Sequence, residues 1–280
     1  MRGLRSRAEG GLMDISPLTR HTVAGPEGNA LAASSMGSRQ GLPILFGNSL
    51  AADMSMWDEV AERLQAERLI VRYDMRGHGA SEIVAEGTTL EGLGRDALAV
   101  MDALGLERVV YCGLSLGGLV GMWLALNAPE RLAGLVLANT AASFPPASMW
   151  EDRAAAARRD GVSSLVAPTL ERWLTPAFRE ANPERSEDIA RMIGATPGAG
   201  YAACCGVLAS ADVSGRLGEI ALPVLVIAGD TDPSTPPARA EELHRAIAGS
   251  ELVTLSAAHL SAVEAADDMA DALRRFAARI

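Results

Sequence analysis

The chain has 280 residues, of which 49% are hydrophobic and 21% are charged, and this balance excludes a disordered or collagen-like protein. Its 25 basic and 35 acidic residues give a net charge of −10, which disfavours binding to nucleic acid or to an anionic membrane surface. Three cysteines, Cys112, Cys204 and Cys205, are too few for a disulfide framework and indicate a reducing, cytoplasmic location.

The first residues of the chain contain arginines but lack the apolar stretch of a secretory signal. We expect residues 1–17 to form a flexible N-terminal extension, with Met13 as a candidate natural start. The uncharged stretch 109–128 is long enough to cross a bilayer, but glycines and a serine interrupt its middle. A strand, a tight turn and a buried helix explain this stretch better, so no membrane segment is predicted.

Short apolar runs alternate with helical patterns along most of the chain, which is typical of a parallel sheet covered by helices on both faces. The predicted strands are 42–46, 69–73, 109–112, 132–138, 223–228 and 252–255. The predicted helices are 57–65, 90–104, 115–127, 237–248 and 262–278. Segments 19–23 and 29–34 are candidates for an antiparallel hairpin at the edge of the sheet.

The alternation stops between residues 142 and 217, where six prolines separate helical patterns rich in alanine and arginine. We expect this stretch to form a helical cap over the C-terminal ends of the strands, where open α/β sheets bind ligands. The predicted fold class is therefore α/β, with a mostly parallel central sheet flanked by helices. Residues 18–141 and 218–280 form its core, and residues 142–217 form the cap.

A Gly-x-Ser-x-Gly pattern, Gly113-Leu-Ser-Leu-Gly117, lies between a predicted strand and a predicted helix. In this context the pattern is typical of a sharp strand-to-helix turn that exposes a nucleophilic serine. Glycine on either side avoids the collisions that side chains would cause in such a turn. We expect Ser115 to present its hydroxyl at a helix N-terminus, where the helix dipole stabilises developing negative charge.

A serine hydroxyl needs a general base, and the chain has four histidines. His21 precedes the predicted core of the sheet, and His244 lies in a charged helical pattern. His259 follows the last predicted strand, so its loop returns to the sheet edge that carries Ser115, and it fits the chain order serine, acid, histidine. We therefore predict His259 as the base, with His78 as the alternative.

The acid is expected after the penultimate predicted strand, where both Asp230 and Asp232 stand. Either carboxylate could orient the imidazole and stabilise the imidazolium, and the spacing alone does not choose between them. A tetrahedral oxyanion also needs two backbone N–H donors. We expect one from Leu116, directly after the nucleophile, and the other from the loop 47–51.

These motifs resemble the α/β-hydrolase superfamily, through Asn48-Ser-Leu50, Ser55-Met-Trp-Asp58, Tyr73-Asp-Met-Arg-Gly-His-Gly-Ala-Ser81 and Gly113–Gly118. More narrowly, the chain is similar to 3-oxoadipate enol-lactonases in Asn139-Thr-Ala-Ala142, Arg172-Trp173, Gly200-Tyr-Ala202 and Ala258-His-Leu-Ser261. The resemblance covers about residues 20 to 280 and implies the α/β-hydrolase fold with a helical cap. It differs from the usual family pattern at Gly47, where a serine is common, and in the small residues of 195–206.

The resemblance also implies the roles of several residues. It implies Asp232 as the acid, because the family pattern Gly-x-x-Asp is counted from Gly229. It implies Leu50 as the second oxyanion donor, with Ser49 as the neighbouring alternative. It further implies that the residues Asp74 and Arg76 are architectural, which weakens the case for His78.

The predicted function is a serine hydrolase that cleaves a small lactone or carboxylic ester through an acyl-enzyme. The same three groups would also serve a general carboxylesterase, a carbon–carbon bond hydrolase, a cofactor-free perhydrolase or a non-catalytic ligand receptor of the same fold. No metal, nucleotide or flavin is predicted, because zinc-ligand, phosphate-loop and dinucleotide spacings are absent from the sequence. The predicted partner is the small-molecule substrate, and the oligomeric state is left open.

Substrate selection is expected in the cap. A substrate carboxylate would favour an arginine, because a guanidinium binds a carboxylate through two parallel hydrogen bonds. The cap offers four candidates, Arg153, Arg158, Arg159 and Arg172. The predicted substrate-binding residues are Ser49, Trp150, Arg153 and Trp173, with the tryptophans as candidate pocket walls.

Overall fold

The central sheet appears in a computed structural model that describes residues 15–84 and 87–280. In these residues it has eight strands: β1 (Ile15–Ala24), β2 (Ala30–Ser38), β3 (Ile44–Gly47), β4 (Leu69–Tyr73), β5 (Val109–Leu114), β6 (Leu132–Ala138), β7 (Val224–Gly229) and β8 (Glu251–Leu255). The strand order is β1-β2-β4-β3-β5-β6-β7-β8. Strands β3 to β8 are parallel, while β1 and β2 are antiparallel to their neighbours. The predicted mostly parallel sheet is confirmed.

Helices cover both faces of the sheet. The core helices are α1 (Asp58–Leu64), α2 (Leu90–Ala103) and α3 (Leu116–Asn127), and the cap helices are α4 (Ala147–Asp160), α5 (Val166–Trp173), α6 (Pro176–Ala181), α7 (Pro183–Ala195) and α8 (Gly198–Ser210). The C-terminal core helices are α9 (Pro237–Ala246), α10 (Ser261–Glu264) and α11 (Ala266–Ala277). Short 3-10 turns lie at Met54–Trp57, Pro129–Arg131, Val162–Leu165 and Ser214–Glu219.

Burial explains why the central strands show no alternation of apolar and polar residues. Every residue of β5, β6 and β7 is buried, because helices pack on both faces of these strands. Helix α3 is apolar on nearly all sides and follows β5 directly. The uncharged stretch 109–128 is thus a strand, a turn at Ser115 and a buried helix, as predicted.

The N-terminal hairpin is longer than its predicted segments. Strand β1 begins at Ile15, which pairs with Ser38 of β2, so the last three residues of the predicted extension 1–17 belong to the sheet. Backbone pairing with a long neighbouring strand extends β1 beyond its apolar segment. The remaining residues of the predicted extension, 1–14, lie outside the described part of the chain.

The predicted helix 262–278 is interrupted. Helix α10 ends at Glu264, and α11 begins at Ala266, because Ala265 has φ −129° and ψ 46°, outside the helical region. The Glu264 carboxylate turns back and accepts a hydrogen bond of 2.9 Å from the N–H of Ala258. This contact holds the loop that carries His259 against the last residue of α10.

The cap segment is held at both ends and along its length. Its two ends meet where Ser143 pairs with Asp212 and where the Val213 N–H donates to Ala142 O at 3.0 Å. Between them, the five helices α4 to α8 fill the interval predicted for the cap. Helix α8 reaches the core so closely that a Cβ on Gly200 would lie 2.1 Å from Gly77 O.

Two predictions from composition concern membranes and cysteines. Within residues 15–84 and 87–280, no single helix is both long and apolar enough to cross a bilayer. Helices α7 and α8 meet the length and hydropathy criteria only when they are taken together, and they are bent by 88° at their junction. Cys112, Cys204 and Cys205 are buried free thiols. The cytoplasmic location stays a prediction.

Candidate active site

The turn at Ser115 has the strained geometry that the sequence predicts. Ser115 has φ 57° and ψ −115°, a conformation that L-residues rarely adopt. A Cβ on Gly113 would lie 2.1 Å from Gly117 O, and a Cβ on Gly117 would lie 2.3 Å from Gly47 O, so both positions require glycine. The Ser115 backbone is fixed on both sides, because its N–H donates to Ala138 O at 3.0 Å and its carbonyl accepts from the Thr140 hydroxyl at 2.6 Å.

His259 and Asp232 form a buried hydrogen-bonded pair. The His259 Nδ1 lies 2.8 Å from Asp232 Oδ2, and the two residues are only 3% and 2% exposed. Asp230 is exposed and its carboxylate instead accepts the N–H of Ala257 at 3.2 Å. Of the two aspartates that the spacing left open, the structure pairs Asp232 with the histidine.

Asp232 is held ionised by its surroundings. Burial opposes its ionisation, but the charge and the hydrogen bond of His259, together with hydrogen bonds from Asn139 and Thr235, lower its pKa to about 2. The amide of Asn139 and the hydroxyl of Thr235 donate to Oδ2 at 3.0 and 2.7 Å. The N–H groups of Ser234 and Thr235 donate to Oδ1 at 2.7 and 3.0 Å. The carboxylate is thus charged and fixed in orientation.

Ser115 and His259 line the same cavity of about 190 Å³. In the described residues, Ser115 Oγ and His259 Nε2 have no hydrogen-bond partner, and the two residues are not hydrogen bonded to each other. Hydrogen bonds between nucleophile and base are often long without substrate and tighten in the reactive complex. The cavity therefore brings together the serine and the histidine that the sequence predicts as nucleophile and base.

Backbone N–H groups that could act as donors lie in the loop after β3 and at the start of α3. The Ser49 N–H is directed to Met56 Sδ at 3.4 Å, while the N–H groups of Leu50 and Leu116 have no hydrogen-bond partner in the described part of the chain. Leu50 and Ser49 line the cavity, and Leu116 directly follows Ser115 at the start of α3. Of the two lining residues, Leu50 is thus the one whose backbone N–H is free in the described part of the chain.

Tryptophan and arginine side chains of the cap form part of the cavity wall. The predicted substrate-binding residues Ser49, Trp150, Arg153 and Trp173 all line the cavity. The Trp150 indole N–H donates to Phe144 O at 2.6 Å, and the Arg153 guanidinium lies 4.8 Å from the centre of the Trp150 ring. The Trp173 ring centre is 6.4 Å from that of His259.

Of the four candidate arginines, Arg153 and Arg172 line the cavity, while Arg158 and Arg159 do not. Arg159 is exposed and pairs with Asp160. Within the described residues, Arg153 and Arg172 lie beyond ion-pair distance of any carboxylate, and no acidic side chain lines the cavity. Burial and then the neighbouring charge of Arg153 lower the pKa of Arg172. The cavity therefore carries uncompensated positive charge.

The alternative base, His78, does not line the cavity. It is fully buried, and its Nδ1 contacts Arg76 O at 3.2 Å. The neighbouring residues that the resemblance implies to be architectural have structural contacts: Arg76 forms a buried ion pair with Asp96 at 2.6 Å, and Asp74 accepts the N–H groups of Met54 and Ala80 at 2.7 and 2.9 Å.

Sequence reasoning missed some cavity residues and supporting residues. Thr235 lines the cavity and contacts Asp232, and Phe144, Met149 and Tyr201 complete the wall. Two residues offered a signal: Tyr201 and Asn139 both lie in segments that carry the family resemblance, and Asn139 also directly follows a predicted strand. In the described chain, no three His, Cys, Asp or Glu residues are grouped as metal ligands.

Comparisons with known proteins agree with this fold. Residues 43–266 match the family model of the α/β hydrolase fold, and the chain belongs to this family. It is similar to 3-oxoadipate enol-lactonase 2 of Acinetobacter baylyi, with 39% identity over 235 residues that cover 84% of this chain and 88% of the relative. Enol-lactonase 1 of the same organism is 36% identical over 242 residues, covering 86% and 91%.

Solved structures give the same result. The crystal structure of the enol-lactonase from Burkholderia xenovorans LB400 has a TM-score of 0.89 at 36% identity and covers 91% of this chain and 99% of that chain. A thermophilic esterase from Thermogutta terrifontis, with malate bound, has a TM-score of 0.88 at 29% identity and covers 93% and 98%. The predicted fold class and the predicted family resemblance are confirmed.

Proposed function

We propose that this protein is a serine hydrolase that opens a small lactone bearing a carboxylate, through an acyl-enzyme on Ser115. The observation that carries the proposal is the cavity itself. Ser115, His259 and the free N–H of Leu50 are at the cavity, and the free N–H of Leu116 directly follows Ser115. The guanidinium groups of Arg153 and Arg172, which have no ion-pair partner in the described residues, lie in the cap wall. The enol-lactonases to which the chain is similar support this substrate class.

In the first step, His259 Nε2 takes the proton of Ser115 as Oγ attacks the lactone carbonyl carbon. The Leu50 and Leu116 N–H groups hold the resulting oxyanion, and ionised Asp232 stabilises the imidazolium through Nδ1. Collapse of the tetrahedral intermediate breaks the ring C–O bond. The departing ring oxygen takes the proton from His259, so the opened chain stays attached to Ser115 as an ester.

In the second step, His259 takes a proton from a water molecule, which attacks the ester carbon. The oxyanion forms again at the same two donors, and its collapse returns the proton to Ser115 Oγ and releases a carboxylic acid. Water enters the product once, and the enzyme is restored. Because the ring opens without losing a fragment, the whole substrate remains in one product.

The arginines would bind the carboxylate that the substrate already carries. In the described residues the Arg172 guanidinium donates one hydrogen bond, to the Thr169 hydroxyl at 3.2 Å, and has no charged partner. A carboxylate ligand would supply the charge and the further acceptors that it lacks. Arg153 is stacked on Trp150, whereas most donors of Arg172 stay available to a ligand. The malate in the Thermogutta esterase structure shows that a relative at 29% identity was solved with a dicarboxylate.

The proposal predicts selectivity for anionic substrates. We expect Arg172→Gln to raise KM for a carboxylated lactone by about tenfold or more and to leave the hydrolysis of neutral p-nitrophenyl acetate within about twofold, because only the former loses a charged hydrogen bond. Steady-state kinetics on both substrates is the measurement. The exposed Arg159→Gln variant is the matched control and should resemble the wild type on both.

Ser115→Ala tests the chemistry separately from the substrate. We expect kcat on both substrates to fall by about 10⁴-fold or more while the thermal midpoint stays close to the wild-type value. Wild-type turnover in this variant would disprove the acyl-enzyme. Equal efficiency of the wild type on carboxylated and neutral substrates would instead indicate a general carboxylesterase, and tight binding with negligible turnover would indicate a receptor.

A further inference from the structure

Asn139 is a buried polar residue that the mechanism above does not use. It directly follows β6, is 1% exposed and has φ 43°, in the left-handed region that asparagine tolerates better than most residues. Its backbone N–H donates to Ile227 O at 2.8 Å, which fixes this turn to β7. Its position is thus set by the two strands beside the catalytic loops.

The Asn139 side chain contacts both catalytic loops at once. Its Nδ2 donates to Asp232 Oδ2 at 3.0 Å and to Ala258 O at 3.2 Å, and its Oδ1 accepts from the Ser261 hydroxyl at 2.5 Å. Ala258 and Ser261 stand on either side of His259 in the chain. The Asn139 amide therefore contacts the carboxylate of Asp232, and it also contacts one residue on each side of His259 in the chain.

We propose that Asn139 is a positioning residue that fixes the acid and the base relative to each other. This inference rests on the proposed function, because it assumes that Asp232 and His259 work as a pair. Thr235 also donates to Asp232 Oδ2, but it lies on the same loop as the acid and cannot tie that loop to the sheet. Asn139 lies at the end of a separate strand, β6, and its amide offers the two donors and one acceptor that these contacts need.

The contacts of Asn139 do not involve the cavity wall, so its removal should change the chemical step and not substrate binding. We expect Asn139→Gly to lower kcat for p-nitrophenyl acetate by about tenfold while KM stays within about twofold. Glycine accepts the positive φ without strain, so the variant removes the side chain and keeps the turn. Asn127→Gly, at an exposed asparagine that ends α3, is the matched control and should keep the wild-type kcat.

A double-mutant cycle distinguishes positioning from general support of the fold. If Asn139 acts through Asp232, adding Asn139→Gly to the Asp232→Asn variant should lower kcat by less than about twofold further. The carboxylate that Asn139 orients is already lost in that variant. Full additivity, or wild-type kcat in Asn139→Gly, would overturn the inference. If Asn139→Gly does not fold, Ser261→Ala removes one of the three contacts and should lower kcat several-fold with KM unchanged.

The serine variant separates this inference from the proposed function. Turnover that survives in Ser115→Ala means that the proposed mechanism itself fails. Turnover that is lost in Ser115→Ala but kept in Asn139→Gly and Ser261→Ala means that the mechanism stands and only the positioning role fails.

Discussion

Two aspartates two positions apart in the loop after β7 have different surroundings. Asp232 is buried and accepts hydrogen bonds from His259, Asn139 and the loop itself, whereas Asp230 is exposed and accepts one backbone N–H. Their near-identical place in the sequence makes them a matched pair for testing which carboxylate supports the base.

We expect Asp232→Asn to lower kcat by about 10⁴-fold, because an amide at this position favours the wrong imidazole tautomer and cannot stabilise the imidazolium. Asp230→Asn should stay within about twofold of the wild type, since its amide oxygen can still accept the Ala257 N–H. Steady-state hydrolysis of p-nitrophenyl acetate measures both. Similar losses in the two variants would show that the loop as a whole, and not one carboxylate, matters.

The sequence predicted some site residues better than others for a physical reason. Ser115 follows from a local pattern, and His259 follows from the small number of histidines and the sheet topology. The choice between Asp230 and Asp232 depends on a partner from a distant part of the chain, since Asn139 reaches Asp232 from the end of β6. The choice between Leu50 and Ser49 depends on the direction of one backbone N–H, since that of Ser49 is directed to Met56.

At the level of the elements, the contact between α8 and the loop after β4 sets how closely the cap can approach the core. Gly200 and Gly77 meet backbone to backbone, and a Cβ on Gly200 would lie 2.6 Å from Gly77 Cα. Gly206 lies in the same helix but is exposed, and a Cβ added there meets no atom within 4 Å. The two glycines therefore have opposite roles in one helix.

We expect Gly200→Ala to lower the free energy of unfolding by about 1–3 kcal/mol, because the added methyl forces the cap away from the core. Gly206→Ala should raise it by about 0.5–1 kcal/mol, because alanine is the better helix former and has room. Urea denaturation of both variants measures the difference. An equal effect of the two substitutions would mean that the close contact does not limit the cap.

Most elements of this fold were predictable because buried parallel strands and helices have distinct apolar patterns. The exceptions depend on tertiary contacts. No helix-breaking residue in the sequence predicts the break at Ala265. The break occurs where the Glu264 carboxylate accepts a hydrogen bond from Ala258 in the His259 loop. Strand β1 extends to Ile15 because β2 offers a partner as far as Ser38.

For the whole molecule, two buried groups of one loop make stability respond to pH in opposite directions. Burial raises the pKa of Asp74 to about 6, although the N–H groups of Ala80 and Met54 oppose this shift. Burial lowers the pKa of His78 to about 4. Asp74 therefore adds stability that is complete below its unfolded pKa of about 3.9 and is lost as pH rises through 6. His78 adds stability that is complete above its unfolded pKa of about 6.5 and is lost as pH falls through 4.

The two contributions oppose each other between about pH 4 and 6, so each variant should differ from the wild type in the slope of its stability profile there. His78→Gln loses the contribution that grows with pH, so its free energy of unfolding should fall relative to that of the wild type by up to about 3 kcal/mol as pH rises from 4 to 6. Asp74→Asn should rise relative to the wild type over the same range. Urea denaturation across this range measures the slopes, and parallel profiles for the three proteins would contradict the assignment.

The pairing of Ser143 with Asp212, beside the hydrogen bond from Val213 to Ala142, brings the two ends of the cap together on the sheet. The chain therefore leaves the core for the cap and returns to it at a single junction, whatever the length of the segment between. A segment with a different lining can join the core at the same two chain ends. A different cap could thus change the side chains that line the cavity while the strands beside Ser115, Asp232 and His259 keep their connections.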